Sequence, residues 1–352
     1  MVPAAGSLPD AGPSGDSDPG AGMLRPLPLF CCLALALPAC ERAPAPELRI
    51  GINPWPGYEH FYLAQELGLY DTTLVRVRVV ELSSLSDTRR AFERGQLDAF
   101  ASTLVEVLAA RSNSARRPRV VLVTDYSNGA DVVIGGPGVR SLAGLRGRRV
   151  GVEPATLNVY LLSRALEGVG LSLDDVTLVP VNLLQMPPAL LERRVDAVVT
   201  YPPASVSILH QPGTTVLFSS ASLPGEIIDV ASVDSGFLLD HPQAAAELLR
   251  GFEAARHYAG THPEDAVARM AARERLSPED FAATVAGGLA VVPLASQAEF
   301  LGQDGTVAQV LPRLGATLHA IGELPQVPLG SGLVAPEVAA AAIAGTRPGS
   351  VP

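Results

Sequence analysis

Lysine is absent from this chain. All 26 basic residues are arginine, so a Schiff base to a lysine side chain, such as an internal aldimine with pyridoxal phosphate, cannot form. Compositional bias accounts for the absence; the chemical exclusion holds whatever its origin. Cysteine is scarce: Cys31, Cys32 and Cys40 are the only three, and none follows residue 40. The body of the chain therefore has no disulfide and no thiol chemistry. Trp55 is the sole tryptophan. Positive charge is outweighed, at a formal net charge of −10 over 352 residues, which leaves no basic footprint for nucleic acid. The six histidines lack metal-ligand spacing, and no serine-centred nucleophile elbow occurs. Neither a metal nor a cofactor is expected.

What is present divides by composition. Residues 1–22 are rich in Pro, Gly, Asp and Ser and cannot build a core. They are expected to be unstructured or to precede the true start at Met23. From Met23 to Ala39, one cation (Arg25) leads into an apolar run from Leu27 to Leu37. That is the pattern of an exported chain's signal peptide, too short for a permanent span. The ending Leu37-Pro38-Ala39-Cys40 resembles a bacterial lipobox, with Pro38 an unusual member. It predicts cleavage before Cys40, lipidation of that cysteine, and a short Pro-rich tether over residues 40–47. An unmodified surface thiol is the alternative.

The remainder alternates short apolar strands with amphipathic helices. Strands are predicted at Leu48–Ile52, Val75–Val80, Asp98–Ala101 and Val120–Thr124, and helices at Glu59–Leu67 and from a cap at Asp87 to about Arg94. The second half repeats the first. Arg149–Val152 echoes Arg49–Ile52, and Val195-Asp196-Ala197 echoes Leu97-Asp98-Ala99. The spacing between the two landmarks is 47 residues in one copy and 45 in the other. Two α/β lobes follow, each a mostly parallel sheet flanked by helices. After residue 230 the rhythm turns helical, at His241–Ala259, Pro263–Arg275, Pro278–Ala286 and Thr306–Ile321. That third is expected to pack back on the first lobe. The arrangement assigns residues 48–127 and 232–345 to lobe 1 and 128–231 to lobe 2, with hinge crossings near Tyr126–Asp131 and Ile228–Val233.

Ligands of open parallel sheets bind beyond the carboxyl ends of the strands. The polar and aromatic residues there include Asn53, Trp55 and Tyr58 after the first strand, Ser84 after the second, and Thr103 after the third, with Ser102 and Glu106 beside it; the binding set expected from these is Asn53, Trp55, Tyr58, Ser84 and Thr103. Lobe 2 contributes Glu153, Thr156 and Tyr201. Asp125, Asn128 and Asp229 come from the crossings. Thr156 opens a helix, where free N–H groups favour an anion, or it is merely an N-cap. Trp55 either faces the cleft or packs in a core. Asp125, Glu153 and Asp229 either hold a ligand cation together or are solvated loop carboxylates.

The runs GINPWPGYEHFYLAQELGLY, SSLSDTRRAFERGQLDAFASTLVEVL, DYSNGAD, LRGRRVGVEP, VDAVVTYPP and PGEIIDV resemble the substrate-binding proteins of ABC importers in the nitrate/sulfonate/taurine group. The likeness covers residues 48–320. It implies the two-lobe type II periplasmic-binding-protein fold, with two hinge crossings and closure on a small ligand. It also implies a monomeric, extracytoplasmic receptor that partners an ABC permease and is held at the membrane through its lipid. The family's binding positions correspond here to Trp55, Ser84, Thr103 and Thr156. The acidic hinge, Asp125, Asp131, Glu153 and Asp229, departs from the sulfonate binders and favours a zwitterion, amine or pyrimidine at least as much as a sulfonate. The likeness extends to thiamine-pyrimidine enzymes, whose lysine this chain lacks. A ligand sensor without a transporter and a lyase or dehydratase on the same fold, with Asp125 or Glu153 as acid or base, are the other readings.

Overall fold

The computed structural model describes residues 44–327 and 330–345. The expected signal peptide, Cys40 and the three residues after it, and the last residues lie outside that range. Eleven strands are formed among the described residues: β1 (Glu47–Ile52), β2 (Arg76–Glu81), β3 (Ala99–Thr103), β4 (Pro118–Ser127), β5 (Val132–Gly135), β6 (Arg149–Val152), β7 (Thr177–Pro180), β8 (Ala197–Thr200), β9 (Thr215–Ser219), β10 (Ile228–Asp234) and β11 (Leu289–Val291). They make two sheets. The first has the order β11-β4-β10-β3-β1-β2 and the second β7-β6-β8-β5-β9. Four of six strands in the first sheet and four of five in the second share a direction. The sheets are thus mostly parallel in sense. The reversed strands β10 and β5 nevertheless lie inside them and make their own ladders antiparallel. This is the two-lobe α/β fold, with helices against both sheets.

The duplicated sequence has a structural cause. Arg49 is the third residue of β1, and both its backbone N–H and its guanidinium donate to Asp98 just before β3, at 2.8–2.9 Å. Arg149 opens β6 and repeats the contact with Asp196 before β8, at 2.9–3.1 Å. The same clamp thus registers the first strand of each lobe against its central neighbour. Gly51 serves that contact in the first copy: a Cβ there would lie 2.4 Å from Leu97 Cδ1.

The C-terminal helices Pro242–Thr261, Pro263–Glu274 and Pro278–Gly288 each begin on the proline foreseen, where the missing N–H costs little. They lie on the first sheet's side of the molecule. Phe252 packs 4.7 Å from Phe61, and Arg273 pairs with buried Glu59. A further helix, Pro336–Ala344, was not foreseen in the Ala-rich tail.

The chain passes between sheets at residues 128–131 and again at residues 220–227. The second passage precedes the expected Ile228–Val233, because those residues form the buried central strand β10. The two passages are tied to each other. Ser127 Oγ lies 2.8 Å from Ser220 Oγ, and Gly129 N–H donates to the same Ser220 oxygen at 2.6 Å.

Candidate functional site

The carboxyl ends of β1, β3, β6 and β8 converge where the sheets face each other. The turn Asn53-Pro54-Trp55-Pro56-Gly57-Tyr58 carries three of the expected residues, all buried. Its shape depends on Asp125. Trp55 Nε1 donates to that carboxylate at 3.1 Å, and a Cβ on Gly57 would fall 1.9 Å from Asp125 Oδ2. Tyr58 donates its hydroxyl to Asp229 on β10. Tyr201, after β8, comes from the opposite lobe. Its ring meets Trp55 edge-on at 6.0 Å between centroids, a favourable aromatic geometry. Its hydroxyl donates to Glu153 at 3.2 Å and accepts from Leu85 N–H at 3.3 Å.

Asn53, Trp55, Tyr58, Thr103, Tyr201 and Asp229 line one cavity with Leu85, Asp131 and Leu157. Both lobes contribute walls. The space among them is about 10 Å³, room for roughly one water. A wider groove of about 690 Å³ lies beside it, between Pro54 and Ser83 on one lobe and Pro187 and Pro203 on the other. The loop after β1 therefore walls both spaces.

The remaining expected residues fall differently. Ser84 caps the helix Leu85–Glu93 by accepting from Asp87 N–H at 3.2 Å. The helix thus begins at Ser84 rather than at the anticipated Asp87, since the serine reaches the free N–H from the extended position before the first turn. Thr156 is an N-cap: its hydroxyl accepts from Asn158 N–H at 3.2 Å and donates to the Glu153 carbonyl at 2.8 Å. Asn128 is exposed, and its backbone N–H donates to the Gly288 carbonyl at 2.8 Å. It does not line the cavity, because the crossing turns it outward.

Glu106 stands among the polar residues that follow the third strand, but it was not one of the expected binding positions. It lies at the third position of the helix Leu104–Asn113 and is fully buried. One oxygen accepts from Thr103 N–H and Oγ1, at 3.0 and 2.6 Å. The other accepts from Leu157 N–H in the opposite lobe, at 2.8 Å. The spacing Thr103-x-x-Glu106 is a capping box, a signal legible in the sequence. The reach to the second lobe has no sequence signal.

Five carboxyl groups are thus gathered at the interface: Glu106, Asp125, Asp131, Glu153 and Asp229, none more than 2% exposed. No arginine forms an ion pair with any of them among the described residues. Arg89 acts on Glu106 only at a distance and is itself paired with Glu93. Burial pushes Asp125, Asp131 and Glu153 up to about 7. Burial, reinforced by the neighbouring charges of Asp125 and Asp131, raises Asp229 well above the usual carboxylate range. One oxygen each of Asp131, Glu153 and Asp229 has no hydrogen-bond partner, and neither does the Asn53 carbonyl oxygen. Glu226, by contrast, is paired with Arg164 at 3.0 Å and accepts from the Tyr160 hydroxyl at 2.8 Å, and stands outside the cluster.

Comparison with known proteins fixes the family. The family model described as NMT1/THI5 like matches residues 55–266, more than half of the chain. The chain belongs to the NMT1/THI5-like family. Among curated relatives, a protein named as a binding protein in Brucella abortus is 27% identical over 141 residues; the match covers 39% of this chain and 44% of that protein's length. One named for thiamine biosynthesis in Haemophilus influenzae is 25% identical over 217 residues, covering 60% of this chain and 68% of the relative. The fold of this NMT1/THI5-like chain is also that of solved binding proteins. The alkanesulfonate-binding protein SsuA of Xanthomonas axonopodis pv. citri, bound to MOPS, superposes with a TM-score of 0.69 at 19% identity, over 84% of this chain and 99% of its own. The aliphatic sulphonate-binding SsuA of Escherichia coli gives 0.66 at 17%, over 82% and 92%. A desulfurization enzyme, DszB, shares the fold as well, at 0.62 and 17% identity over 85% and 100%. Among the described residues, no helix is long and apolar enough to cross a membrane.

Proposed function

We propose that this protein is the extracytoplasmic solute receptor of an ABC importer and that its solute is a small organic cation, an amine or a protonated aminopyrimidine, held between the lobes. One observation carries the reading: the interface gathers five buried carboxyl groups with no cationic side chain bound to them. A buried carboxylate without a partner is strongly unfavourable, and a cation bridging Asp131, Glu153 and Asp229 supplies the missing charge to three oxygens that have no partner. A sulfonate or nitrate would add a like charge to the same site. The walls of Trp55, Tyr58 and Tyr201 favour a cation that carries or adjoins a flat ring, through cation–π contact and stacking. The relative named for thiamine biosynthesis agrees with a pyrimidine.

Ligand contacts to both lobes make binding and closure one event, and the closed form is what a permease would engage. The lipid anchor at Cys40 and the monomeric state belong to the same proposal. Thermal unfolding of the chain with primary amines, diamines, aminopyrimidines, taurine, ethanesulfonate and nitrate tests it. A cation at ~100 times its dissociation constant adds about 2.7 kcal/mol, which raises the melting temperature by several degrees. A well-folded protein stabilised by ethanesulfonate or nitrate and by none of the amines would refute the charge assignment. The presence of DszB on this fold gives the enzyme reading its one support; release of product from any stabilising ligand would revive it.

A further inference from the structure

We propose that Glu106 is a built-in occupant of an anion seat and the residue that bars anionic and zwitterionic sulfonates from this cleft. The seat is the start of the eleven-residue helix Leu157–Glu167 in the second lobe. The first N–H groups of a helix have no partner within it and carry the positive end of its dipole, so they attract an anion. Here both leading donors are already satisfied. Leu157 N–H donates to Glu106 at 2.8 Å and Asn158 N–H to Thr156 Oγ1 at 3.2 Å. The Glu106 carboxylate comes from the other lobe, is fully buried, and is held on its second oxygen by Thr103. It stands where a ligand's own acidic group would otherwise be received, and Leu157 at that seat also lines the cavity. Its charge acts on Asp131 and Glu153 and, within its own lobe, on Asp229, so an incoming anion meets both an occupied donor and a repulsive field.

The inference refines the cation-receptor reading and rests on it for the choice of ligands. Removing Glu106 leaves the carboxylates Asp131, Glu153 and Asp229 to hold an ammonium and frees Leu157 N–H for an acid. Taurine carries both groups on a two-carbon chain and is the probe. Calorimetric titration at pH 7 compares the full chain with Glu106→Ala and Glu106→Gln, with circular dichroism as the folding control. The expected result is negligible taurine binding by the parent and affinity at least roughly tenfold higher for Glu106→Ala, the gain of one charge-assisted hydrogen bond at a helix start. Glu106→Gln removes the charge but keeps the volume and the cap on Thr103, and gains several-fold. Parent protein that binds taurine as tightly as Glu106→Ala overturns the proposal, and so does a folded Glu106→Ala with no gain. If Glu106→Ala fails to fold, Glu106→Gln decides alone, and the absence of any gain overturns the proposal. Failure of the receptor reading looks different: the parent then ignores every amine and pyrimidine, whatever the variants do with taurine.

Discussion

Replacing Asp131 with Asn should make the protein more stable and a worse receptor, and only at neutral to alkaline pH. Asp131 is 2% exposed, and one of its carboxylate oxygens has no partner. Burial, with Glu106 adding its charge, lifts it from the ordinary 3.8 to about 7. The folded form therefore keeps a proton that the unfolded chain releases near pH 4. Stability from this group is complete below pH 4 and is lost as pH rises through 7. At ~1.4 kcal/mol per pH unit, the loss by pH 8 is roughly 4 kcal/mol. The Asn amide escapes that penalty but adds a buried N–H group that needs an acceptor, at a cost of about 1–3 kcal/mol. The net gain for Asp131→Asn at pH 8 is on the order of 1–3 kcal/mol. At pH 4.5, where the native carboxyl is already protonated, the gain vanishes or reverses. Urea unfolding at both pH values measures this directly. Cation affinity should move the other way at pH 8, falling at least tenfold, because an acceptor of the ammonium is gone. A variant equally destabilised at pH 4.5 and pH 8 would refute the reasoning, since the carboxylate would then be acting through its hydrogen bonds and not through its charge.

Trp55 is the only tryptophan and borders the cavity, so its emission should shift when a ligand closes the lobes; saturating ligand without spectral change would place binding elsewhere. Asp229→Asn keeps an oxygen that can accept from the Tyr58 hydroxyl and the volume of this cavity wall, but removes the carboxylate charge. Cation binding should weaken at least tenfold in titration while the far-ultraviolet spectrum stays native. Gly57→Ala drives a methyl into Asp125 and breaks the Trp55 contact; ~1–3 kcal/mol of stability should be lost, together with ligand binding. Arg49→Ala should cost about 1 kcal/mol or less in urea unfolding, and more than Arg149→Ala does, because the Arg49 side chain is 34% exposed and that of Arg149 45%.

The two-lobe fold was legible because its signals are local and doubled. Strand runs such as Val120–Thr124 declare themselves by apolar continuity, and the Arg…Asp clamp is written twice at nearly the same spacing. Helix starts at Pro242, Pro263 and Pro278 are equally local. The site was legible as far as strand ends carry it: Asn53, Trp55, Tyr58, Thr103, Tyr201 and Asp229 all reach one cavity. Asn128 failed because a crossing residue's orientation is set by the path of the hinge. The start of the helix at Ser84 rather than Asp87 was a contest between two good capping residues three apart, decided by which one reaches the free N–H. Glu106 was in reach at a strand end, yet stayed out of the expected binding set for a deeper reason. Its sequence setting is a complete capping box within one lobe, and nothing local reveals that its second oxygen serves a helix 51 residues away.

In the proposed receptor, that same residue would couple charge to closure. Glu106, Asp125 and Asp229 belong to elements of the first lobe, and Glu153 follows β6 in the second. Bringing the lobes together buries like charges against each other, and it is this approach that raises Glu153 and Asp131 through Glu106 as well as through burial. Closure without a compensating charge must therefore either take up protons or accept repulsion. A cation placed between the lobes removes the penalty only in the closed form, which is the differential affinity that lets a ligand shift a conformational equilibrium. An anion has no such preference and would favour separation. If this is the mechanism, the closed population of the ligand-free protein, followed by small-angle scattering or Trp55 emission, should grow as pH falls from 8 to 5.5, with protons standing in for the cation. A closed population that is unchanged or falls over that range would separate recognition from electrostatics and sink the argument.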